Sequence, residues 1–282
     1  MSQKIHILKV PYDSGQRCER MARGPGYLLS KPLLKTSNIA VEAIETTLTF
    51  PAEMQTAFDL ARQIAPRVRE LHAAGEIPLV LAGNCNSAMG IIAGLGPRDT
   101  GVLWFDGHGE FNTPETTTSG FFDGMPLAVA TGRCWATMAG SIPGFAALPD
   151  ENVILVGVRD TDREEQAALD RSGIAQVRAN DLNAAPGAAL AAAVDRLAAR
   201  VRHLYVHIDL DALDPSEATA NQWVAPGGLE LAAMEGALRY VAERIPLAAV
   251  TVASLDPACD EDGRALHAAE TLLKTVFRIA AS

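Results

Sequence analysis

The stretch Gly-Val-Leu-Trp-Phe-Asp-Gly-His-Gly-Glu, residues 101–110, joins a short apolar run to a cluster of polar side chains. Its apolar half, residues 101–105, shows no alternation of polar and apolar positions, which is typical of a strand buried on both faces of a parallel sheet. The polar half offers Asp106, His108 and Glu110. In open α/β sheets, ligands bind just beyond the carboxyl ends of the strands. The stretch therefore predicts a buried parallel strand that leads into a functional site.

The rest of the chain alternates short apolar runs with longer segments of helical periodicity. The predicted strands are residues 5–10, 78–82, 101–105, 153–158, 204–208 and 249–253. The predicted helices are residues 52–74, 87–94, 188–201, 230–243 and 264–280. This alternation predicts an α/β fold with three α-β-α layers, built on a doubly wound, mainly parallel sheet. Since no linker, repeat or low-complexity tract interrupts it, we expect residues 1–282 to form a single domain.

The composition limits the partners of this chain. Its 282 residues carry 24 Lys and Arg against 34 Asp and Glu, a formal net charge of −10. This balance argues against nucleic acid and against anionic membranes, which need a positive surface. It favours a metal ion or a cationic small molecule. The sequence shows no signal-peptide core or membrane span, and its 4 cysteines lack the spacing of a disulfide framework, so we expect a cytoplasmic protein with reduced thiols.

Two more predicted strands end in polar clusters. Strand 78–82 runs into Gly83-Asn84-Cys85-Asn86-Ser87, and strand 204–208 runs into Asp209-Leu210-Asp211. Together with the cluster after residue 105, these segments should open onto one edge of the sheet. Because alternate side chains of an extended chain share a face, we expect the acidic side chains of each cluster to converge on one point.

The acidic clusters predict a metal centre. Bare carboxylates at contact distance repel one another and would have to take up protons, so this many acids at one edge need cations. Carboxylates with an imidazole suit Mn²⁺, and their number suits two ions with shared carboxylates. The expected ligands are Asp106, His108, Glu110, Asp209 and Asp211. His207 is interpreted as a structural residue or as a support of these ligands. The alternative interpretation of the acidic residues is that they are strand-end carboxylates that face solvent.

These motifs resemble the signatures of the arginase/agmatinase (ureohydrolase) family. Residues 104–114 and 207–215 look like two of its signature motifs, and residues 82–86 fall on the third, which normally reads Gly-Gly-Asp-His-Ser. The resemblance spans nearly the whole chain and implies an arginase-like catalytic domain. It implies two Mn²⁺ ions bridged by Asp106 and Asp209. The remaining ligands would be Cys85 and Glu110 on one ion, and His108 and Asp211 on the other.

The same resemblance implies the reaction, that of a metal-dependent hydrolase acting on linear amidines. A hydroxide that bridges the ions would attack the guanidinium-type carbon of a small-molecule substrate, because bound ions lower the pKa of water. The products would be a urea-type compound and an amine. Members of the family are often trimers or hexamers, so a homo-oligomer is an open expectation.

Four positions depart from the family's pattern. Cys85 stands where the family has a histidine ligand, and it is interpreted as a ligand thiolate, with a small buried hydrophobe as the alternative. Glu110 replaces an aspartate and is still interpreted as a ligand. Ser254 lies where arginases have the glutamate that pairs with the substrate guanidinium. Asp123 replaces a histidine proton shuttle, and it is either catalytic or an ordinary loop aspartate.

The departures resemble the Nω-hydroxy-L-arginine amidinohydrolase branch, which serves hydroxyurea formation in antibiotic biosynthesis. A plain guanidinium does not lose its proton, whereas an N-hydroxylated one loses it more easily, so the loss of the glutamate favours a hydroxyguanidine. We therefore expect hydrolysis of Nω-hydroxy-L-arginine to L-ornithine and hydroxyurea, with Ser254 and Asp123 as catalytic residues. One alternative is an ordinary arginase or guanidino-acid hydrolase in which Asp256 or Asp123 replaces the glutamate. Another is a non-catalytic protein that binds metal or an amino acid.

The resemblance also covers the far end of the substrate. Asn112, Thr117 and Ser119 match positions that hold an α-carboxylate in arginases, and Asp162 and Glu165 match positions near the α-amino group. These matches favour an amino acid over agmatine, which lacks the carboxylate. The alternative for the segment rich in Thr and Ser is an ordinary loop.

Overall fold

Residues 3–35, 39–49, 52–183 and 187–282 are described by the computed structural model of the protein. The strands in these ranges are β1 (Ile5–Val10), β2 (Tyr12–Asp13), β3 (Gln16–Arg17), β4 (Ala40–Ala43), β5 (Ile77–Ala82), β6 (Thr100–Phe105), β7 (Val153–Val156), β8 (Ala175–Val177), β9 (His203–Asp209) and β10 (Leu247–Ala253). The helices are α1 (Gly24–Leu29), α2 (Glu53–Ala73), α3 (Ser87–Leu95), α4 (Pro126–Ala130), α5 (Ala136–Ala139), α6 (Arg163–Arg171), α7 (Ala179–Asn183), α8 (Ala188–Ala198), α9 (Leu231–Ala242) and α10 (Arg264–Ala281). None of the helices in the described ranges is both long and apolar enough to cross a membrane.

Eight strands form one sheet in the order β4-β1-β5-β10-β9-β6-β7-β8. Every pairing in this sheet is parallel. Strands β2 and β3 form a separate antiparallel hairpin. The predicted α/β fold with a parallel sheet is therefore confirmed.

Helices cover both faces of the sheet and complete the three layers. Alternate side chains of each strand enter two different apolar clusters, so that Ile7 of β1 lies in one and Leu8 in the other. Helices α1, α8, α9 and α10 close the first cluster, and α2 and α3 close the second. Strands β5 and β6 are buried at every residue. Burial on both faces requires a continuous apolar sequence, which is the pattern these strands have.

All six predicted strands and all five predicted helices are present, with some ends displaced. The strand predicted at 153–158 ends at Val156, and the helix predicted at 188–201 ends at Ala198. The elements that the sequence reading missed are β2, β3, β4, β8, α1, α4, α5, α6 and α7. They are short, and the edge strands β4 and β8 have half-exposed side chains, so their sequences lack the apolar run that marks a central strand.

The order of the strands decides which side chains meet. Strands β5, β10, β9 and β6 are consecutive neighbours in the sheet. In a parallel sheet their carboxyl ends lie at the same edge, so the segments that follow them emerge side by side. Strand β10 lies between β5 and β9, and this places its carboxyl end between two of the predicted polar clusters.

Candidate metal centre and substrate cavity

The polar clusters after β5, β6 and β9 meet at the carboxyl edge of the sheet. Two groups of side chains offer ligand atoms that lie within 4.8 Å of one another. The first group is Cys85, Asp106 and His207, and the second is Asp106, His108 and Asp211. Asp106 is fully buried and belongs to both groups. The geometry thus provides room for two ions with a carboxylate shared between them.

Asp106 turns one oxygen toward each group. Its Oδ2 accepts a hydrogen bond from Trp104 Nε1 at 2.8 Å and lies 3.9 Å from the Cys85 sulfur. Its Oδ1 accepts the backbone N–H of His108 at 2.7 Å and lies 3.4 Å from His108 Nδ1. Because the bonds from Trp104 and from the backbone fix the carboxylate plane, the two oxygens are held in opposite directions.

The side chains converge for a different reason than the sequence reading assumed. Beyond β6, His108 forms a parallel bridge with Asp160, but the extended chain ends at Glu110, which has a φ of 52° in the left-handed region. Asp211 lies in a 3-10 turn, and its backbone N–H donates to Asp209 Oδ1 at 2.9 Å. The expectation that an extended chain aligns alternate side chains was therefore wrong for Asp209 and Asp211, whereas Asp106 and His108 do lie in one ligand group. A turn after β9 brings Asp211 to Asp106 and His108, whereas Glu110 and Asp209, which were also predicted as ligands, belong to neither group of atoms within 4.8 Å.

The electrostatics of the cluster favour cations. Burial raises the pKa of Asp209 and of Glu110 well above the ordinary range, and the neighbouring carboxylates raise both further. Burial also raises the pKa of Asp106. The pKa of His108 is also raised, because the charges of Asp211 and Asp106 outweigh its burial. A raised pKa favours the charged form of an imidazole but the neutral form of a carboxyl group. Asp211, although buried, has a lowered pKa because of the charge and the hydrogen bond of His108.

Glu110 has one buried oxygen without a partner in this cluster. It is buried, and its Oε2 has no hydrogen-bond partner. A buried carboxylate oxygen without a partner is costly unless a cation or a proton is near it. Oxygen donors with imidazole and a thiol form a set that fits divalent ions. The residues present therefore fit the two ions that the sequence reading expected, while the role of each ligand stays a prediction.

Cys85 lies in the middle of this polar cluster. Its sulfur is 3.0 Å from Asp209 Oδ2, 3.1 Å from His207 Nε2 and 3.8 Å from Ser254 Oγ. Burial and the nearby charge of Asp209 raise the pKa of the Cys85 thiol well above its ordinary value. A thiol in this position loses its proton when it binds a metal ion. Cys85 is buried, as the alternative interpretation required, but its closest partners are polar groups.

Ser254 follows β10 and faces the same cluster. Its φ is 64°, and its hydroxyl donates a short hydrogen bond to Asp209 Oδ2. Asn221, which the sequence reading missed, donates from Nδ2 to the Ser254 carbonyl at 3.0 Å and to Asp211 Oδ2 at 3.2 Å. Asn221 lies outside every helix and strand, so no periodic signal marks it. Asp256 lines a separate, smaller cavity, which disfavours it as the replacement for the lost glutamate.

Asp123 is buried and holds the loop that carries Cys85. Its Oδ2 accepts from Asn84 Nδ2 at 2.6 Å, and its Oδ1 accepts the backbone N–H of Asn86 at 3.1 Å. Asn84 in turn donates to Asp13 and accepts the backbone N–H of Ser14 at 2.7 Å. The sequence reading missed Asn84 and Asp13, because nothing in the local sequence links residues 70 positions apart. Proton transfer by Asp123 stays a prediction.

A cavity of about 390 Å³ opens above the cluster. The five side chains predicted to bind substrate all line it, and they are Asn112, Thr117, Ser119, Asp162 and Glu165. No Lys or Arg is among the described residues of its wall, whereas seven Asp and Glu are. Phe121 and Trp223 also line it, with ring centroids 5.8 Å apart. Such a wall attracts a positively charged molecule.

Glu165 and Asp162 hold the far wall in place. Glu165 Oε1 accepts the backbone N–H of Phe111 at 2.8 Å, and its Oε2 accepts that of Asp162 at 3.2 Å. The Asp162 carboxylate accepts from Asn112 Nδ2 at 3.1 Å and from Thr118 Oγ1 at 2.9 Å. These bonds connect the start of α6 to the loop after Glu110, so both residues shape the cavity that they line.

Replacing Glu165 with Gln should change how stability depends on pH. Burial raises the pKa of Glu165 from 4.5 to about 7. The folded protein therefore binds this proton more tightly than the unfolded chain, and its stability falls as pH rises from about 4.5 to 7. The measurement is urea unfolding of the metal-free protein. Between pH 4.5 and pH 7.5, the unfolding free energy of E165Q should rise relative to that of wild type by on the order of 1–3 kcal/mol.

Glu164 provides the matched control, because it is exposed on the same helix. The E164Q variant should keep a constant difference in unfolding free energy from wild type over this pH range. A constant difference for E165Q as well would contradict the prediction.

Comparisons with known proteins show the family of this chain. The profile of the arginase family matches residues 3–278 of the chain. The arginase of Bacillus caldovelox is 26% identical over 292 residues, which cover 97% of this chain and 97% of that protein. The hepatic arginase of Aquarana catesbeiana is 28% identical over 287 residues, which cover 93% of this chain and 87% of that protein.

Solved structures show the same architecture. The native structure of Bacillus caldovelox arginase at pH 5.6 matches with a TM-score of 0.87 at 26% identity, covering 98% of each chain. The formimidoylglutamase of Bacillus subtilis shares the fold at 16% identity, with a TM-score of 0.77 over 99% of this chain and 88% of that one. The fold and the family match define an enzyme, a metal-dependent hydrolase of linear amidines. The chain belongs to the arginase family.

Proposed function

We propose that the enzyme hydrolyses Nω-hydroxy-L-arginine to L-ornithine and hydroxyurea. The observation that carries the proposal is Ser254, whose hydroxyl lies against Asp209 at the base of the cavity. A permanently charged guanidinium needs a carboxylate partner when it is buried, since a lone buried charge is strongly unfavourable. A hydroxyguanidine binds in a less charged form, and its O–H or N–H group can donate a hydrogen bond to the Ser254 oxygen, whose own proton goes to Asp209.

The cavity wall supports an amino acid as the substrate. Asn112, Thr117 and Ser119 provide uncharged amide and hydroxyl groups, and we propose that they hold the α-carboxylate. The acids Asp162 and Glu165 line the same wall, and we propose that they face the α-amino group. This arrangement directs the guanidino end toward Asp209 and Ser254, where the carboxylates are most densely packed.

We propose two Mn²⁺ ions as the cofactor. Asp106 and Asp209 would lie between the ions, with Cys85 and Glu110 on one side and His108 and Asp211 on the other. When bound, the pair supplies activated water at neutral pH and polarises the carbon under attack. A thiolate is a softer donor than the other groups and favours softer metals, so metal analysis of the purified protein belongs with any activity measurement.

The protein's own groups position the substrate and handle its proton. Ser254 accepts a hydrogen bond from the reacting end through its oxygen, and the bond that it donates to Asp209 fixes the orientation of its hydroxyl. We propose that Asp123 has two functions. It holds the Cys85 loop through Asn84 and Asn86, and its cavity-facing carboxyl gives a proton to the departing amine.

The second candidate function is that of an ordinary arginase. Relatives of this chain carry that name, which supports hydrolysis of a guanidino group in general. In this case Asp123 would have to act as the partner of the guanidinium. Each of its oxygens already accepts a hydrogen bond from the Cys85 loop, so Asp123 lacks the free pair of oxygens that a bidentate guanidinium contact uses, whereas a proton transfer needs only one remaining lone pair. This favours the hydroxyguanidine.

The wider setting follows from the same proposal. With hydroxyurea as the product, the enzyme would act in antibiotic biosynthesis, in the cytoplasm, as a single-domain chain. The continuous sheet supports the single domain, because β1 and β10 come from opposite ends of the sequence and both pair with β5. A homo-oligomer is also part of this proposal, by analogy with the family.

A substrate panel tests the proposal. The manganese-loaded protein is given L-arginine, Nω-hydroxy-L-arginine or agmatine, and kcat/KM is measured from the amine released. We expect the hydroxylated substrate to be preferred and agmatine to be poorest, because it lacks the α-carboxylate. Chromatography of the second product separates hydroxyurea from urea. Faster turnover of plain arginine would refute the hydroxyguanidine assignment and favour the ordinary arginase.

A further inference from the structure

We infer that His207 is a ligand of the metal ion on the Cys85 side of the site. The inference rests on the proposed metal centre and adds to it a nitrogen donor that comes from inside the sheet. His207 lies on β9, two residues before Asp209, and it is completely buried. The same face of β9 carries Tyr205, His207 and Asp209, so the imidazole lies directly beneath the carboxylate cluster.

The position of the imidazole fits a shared ion. His207 Nε2 is 3.1 Å from the Cys85 sulfur, and Asp106 offers an oxygen within 4.8 Å of both atoms. With a metal–nitrogen distance of about 2.1 Å and a metal–sulfur distance of about 2.3 Å, two ligands lie roughly 3.1 Å apart at a right angle and roughly 3.6 Å apart at a tetrahedral angle. The observed separation equals the right-angle value for neighbouring ligands of one ion.

The other ring nitrogen of His207 has the partner that a ligand histidine needs. Metal-bound histidines usually donate their second N–H to a neighbouring group, which fixes the tautomer and the ring plane. His207 Nδ1 lies 2.8 Å from the Tyr205 hydroxyl, which in turn lies 2.8 Å from Thr251 Oγ1. If Nδ1 donates to Tyr205, and Tyr205 donates to Thr251, the lone pair of Nε2 is left facing Cys85 and Asp106.

Packing holds the ring in this orientation. Trp104 stacks on His207 with centroids 4.0 Å apart and an angle of 24° between the planes. Trp104 pairs with His207 across the strands β6 and β9, and its indole N–H bonds to Asp106. One side chain therefore orients both the imidazole and the carboxylate of the same candidate site. Such support from packing is what keeps metal ligands in a fixed geometry.

The competing arrangement is a hydrogen bond from His207 Nε2–H to the sulfur, with Tyr205 donating to Nδ1. X-ray absorption of the wild-type protein loaded with two equivalents of Zn²⁺ separates the two arrangements without any mutation. If His207 is a ligand, the spectrum should count one imidazole for each ion, from His108 and His207 together. One imidazole for every two ions, from His108 alone, would overturn the inference.

Variants give a second, independent readout. Co²⁺ binding followed by its absorption spectrum should weaken by roughly 100-fold or more in H207N, and the thiolate-to-cobalt band should be lost in C85S. The matched control is H203N, because His203 starts the same strand and bonds Thr100 at the far end of the sheet. H207Q serves as a second variant if H207N does not fold. Unchanged Co²⁺ affinity in folded H207N or H207Q would also overturn the inference.

The metal measurements need no substrate, so they can fail independently of the proposed reaction. One imidazole for each ion in a protein that prefers plain arginine would uphold His207 as a ligand and refute the hydroxyguanidine. Hydrolysis of hydroxyarginine by a protein with one imidazole for every two ions would uphold the hydroxyguanidine and refute His207 as a ligand.

Discussion

Replacing Asp106 with Asn should lower kcat by roughly 1000-fold and remove at least one bound metal ion from each chain. Asp106 is the residue that belongs to both candidate ligand groups in the described part of the protein. Asn keeps the shape of the side chain and an acceptor for the Trp104 indole, but it removes the charge shared between the groups. The metal pair stabilises the transition state by several kcal/mol, and a factor of about 1000 corresponds to ~4 kcal/mol.

The measurement combines steady-state kinetics with metal analysis after dialysis against a metal-free buffer. Asp99 provides the matched control, because it is exposed just before β6, at the opposite end of the strand that leads into Asp106. D99N should keep wild-type kinetics and metal content. Wild-type activity with full metal content in D106N would remove Asp106 from the metal centre.

Replacing Ser254 with Glu should change which substrate the enzyme prefers. The glutamate would supply the negative partner that a plain guanidinium needs, next to Asp209 and at the base of the cavity. A charge-assisted hydrogen bond contributes ~1.5–3 kcal/mol. We therefore expect the ratio of kcat/KM for arginine over hydroxyarginine to rise by about 10-fold to 100-fold.

S254A separates the added charge from the lost hydroxyl. It should lower kcat/KM for hydroxyarginine without raising that for arginine. Both variants should bind metal as wild type does, because the proposal places Ser254 on the substrate. An unchanged substrate ratio in folded, metal-loaded S254E would argue against Ser254 as the specificity residue.

The sequence was most informative where structure follows from local pattern. Strands β5 and β6 were predicted because burial on both faces demands an apolar run, and the structure has both. The edge strand β4 was missed because its side chains alternate between half-exposed and exposed. The clustering of acids at the strand ends was also visible, since it needs only the rule that ligands bind at the carboxyl edge.

The sequence was less informative about how the site is assembled. Asp211 reaches Asp106 through a 3-10 turn, which the assumption of an extended chain did not allow. Asn84, Asn221 and His207 were assigned no role in binding. Their partners are distant in sequence, as with the 122 positions between His207 and Cys85, and no local pattern records such a contact.

The sequence alone thus determined the layered α/β fold, the acidic strand ends and the substitutions at Cys85 and Ser254. These features depend on residue type and on periodicity along the chain. Only the tertiary structure decided that Asp106 faces two ligand groups and that His207 lies against the Cys85 sulfur. The physical reason is that such contacts depend on the order and register of strands paired across the sheet, with β10 between β5 and β9.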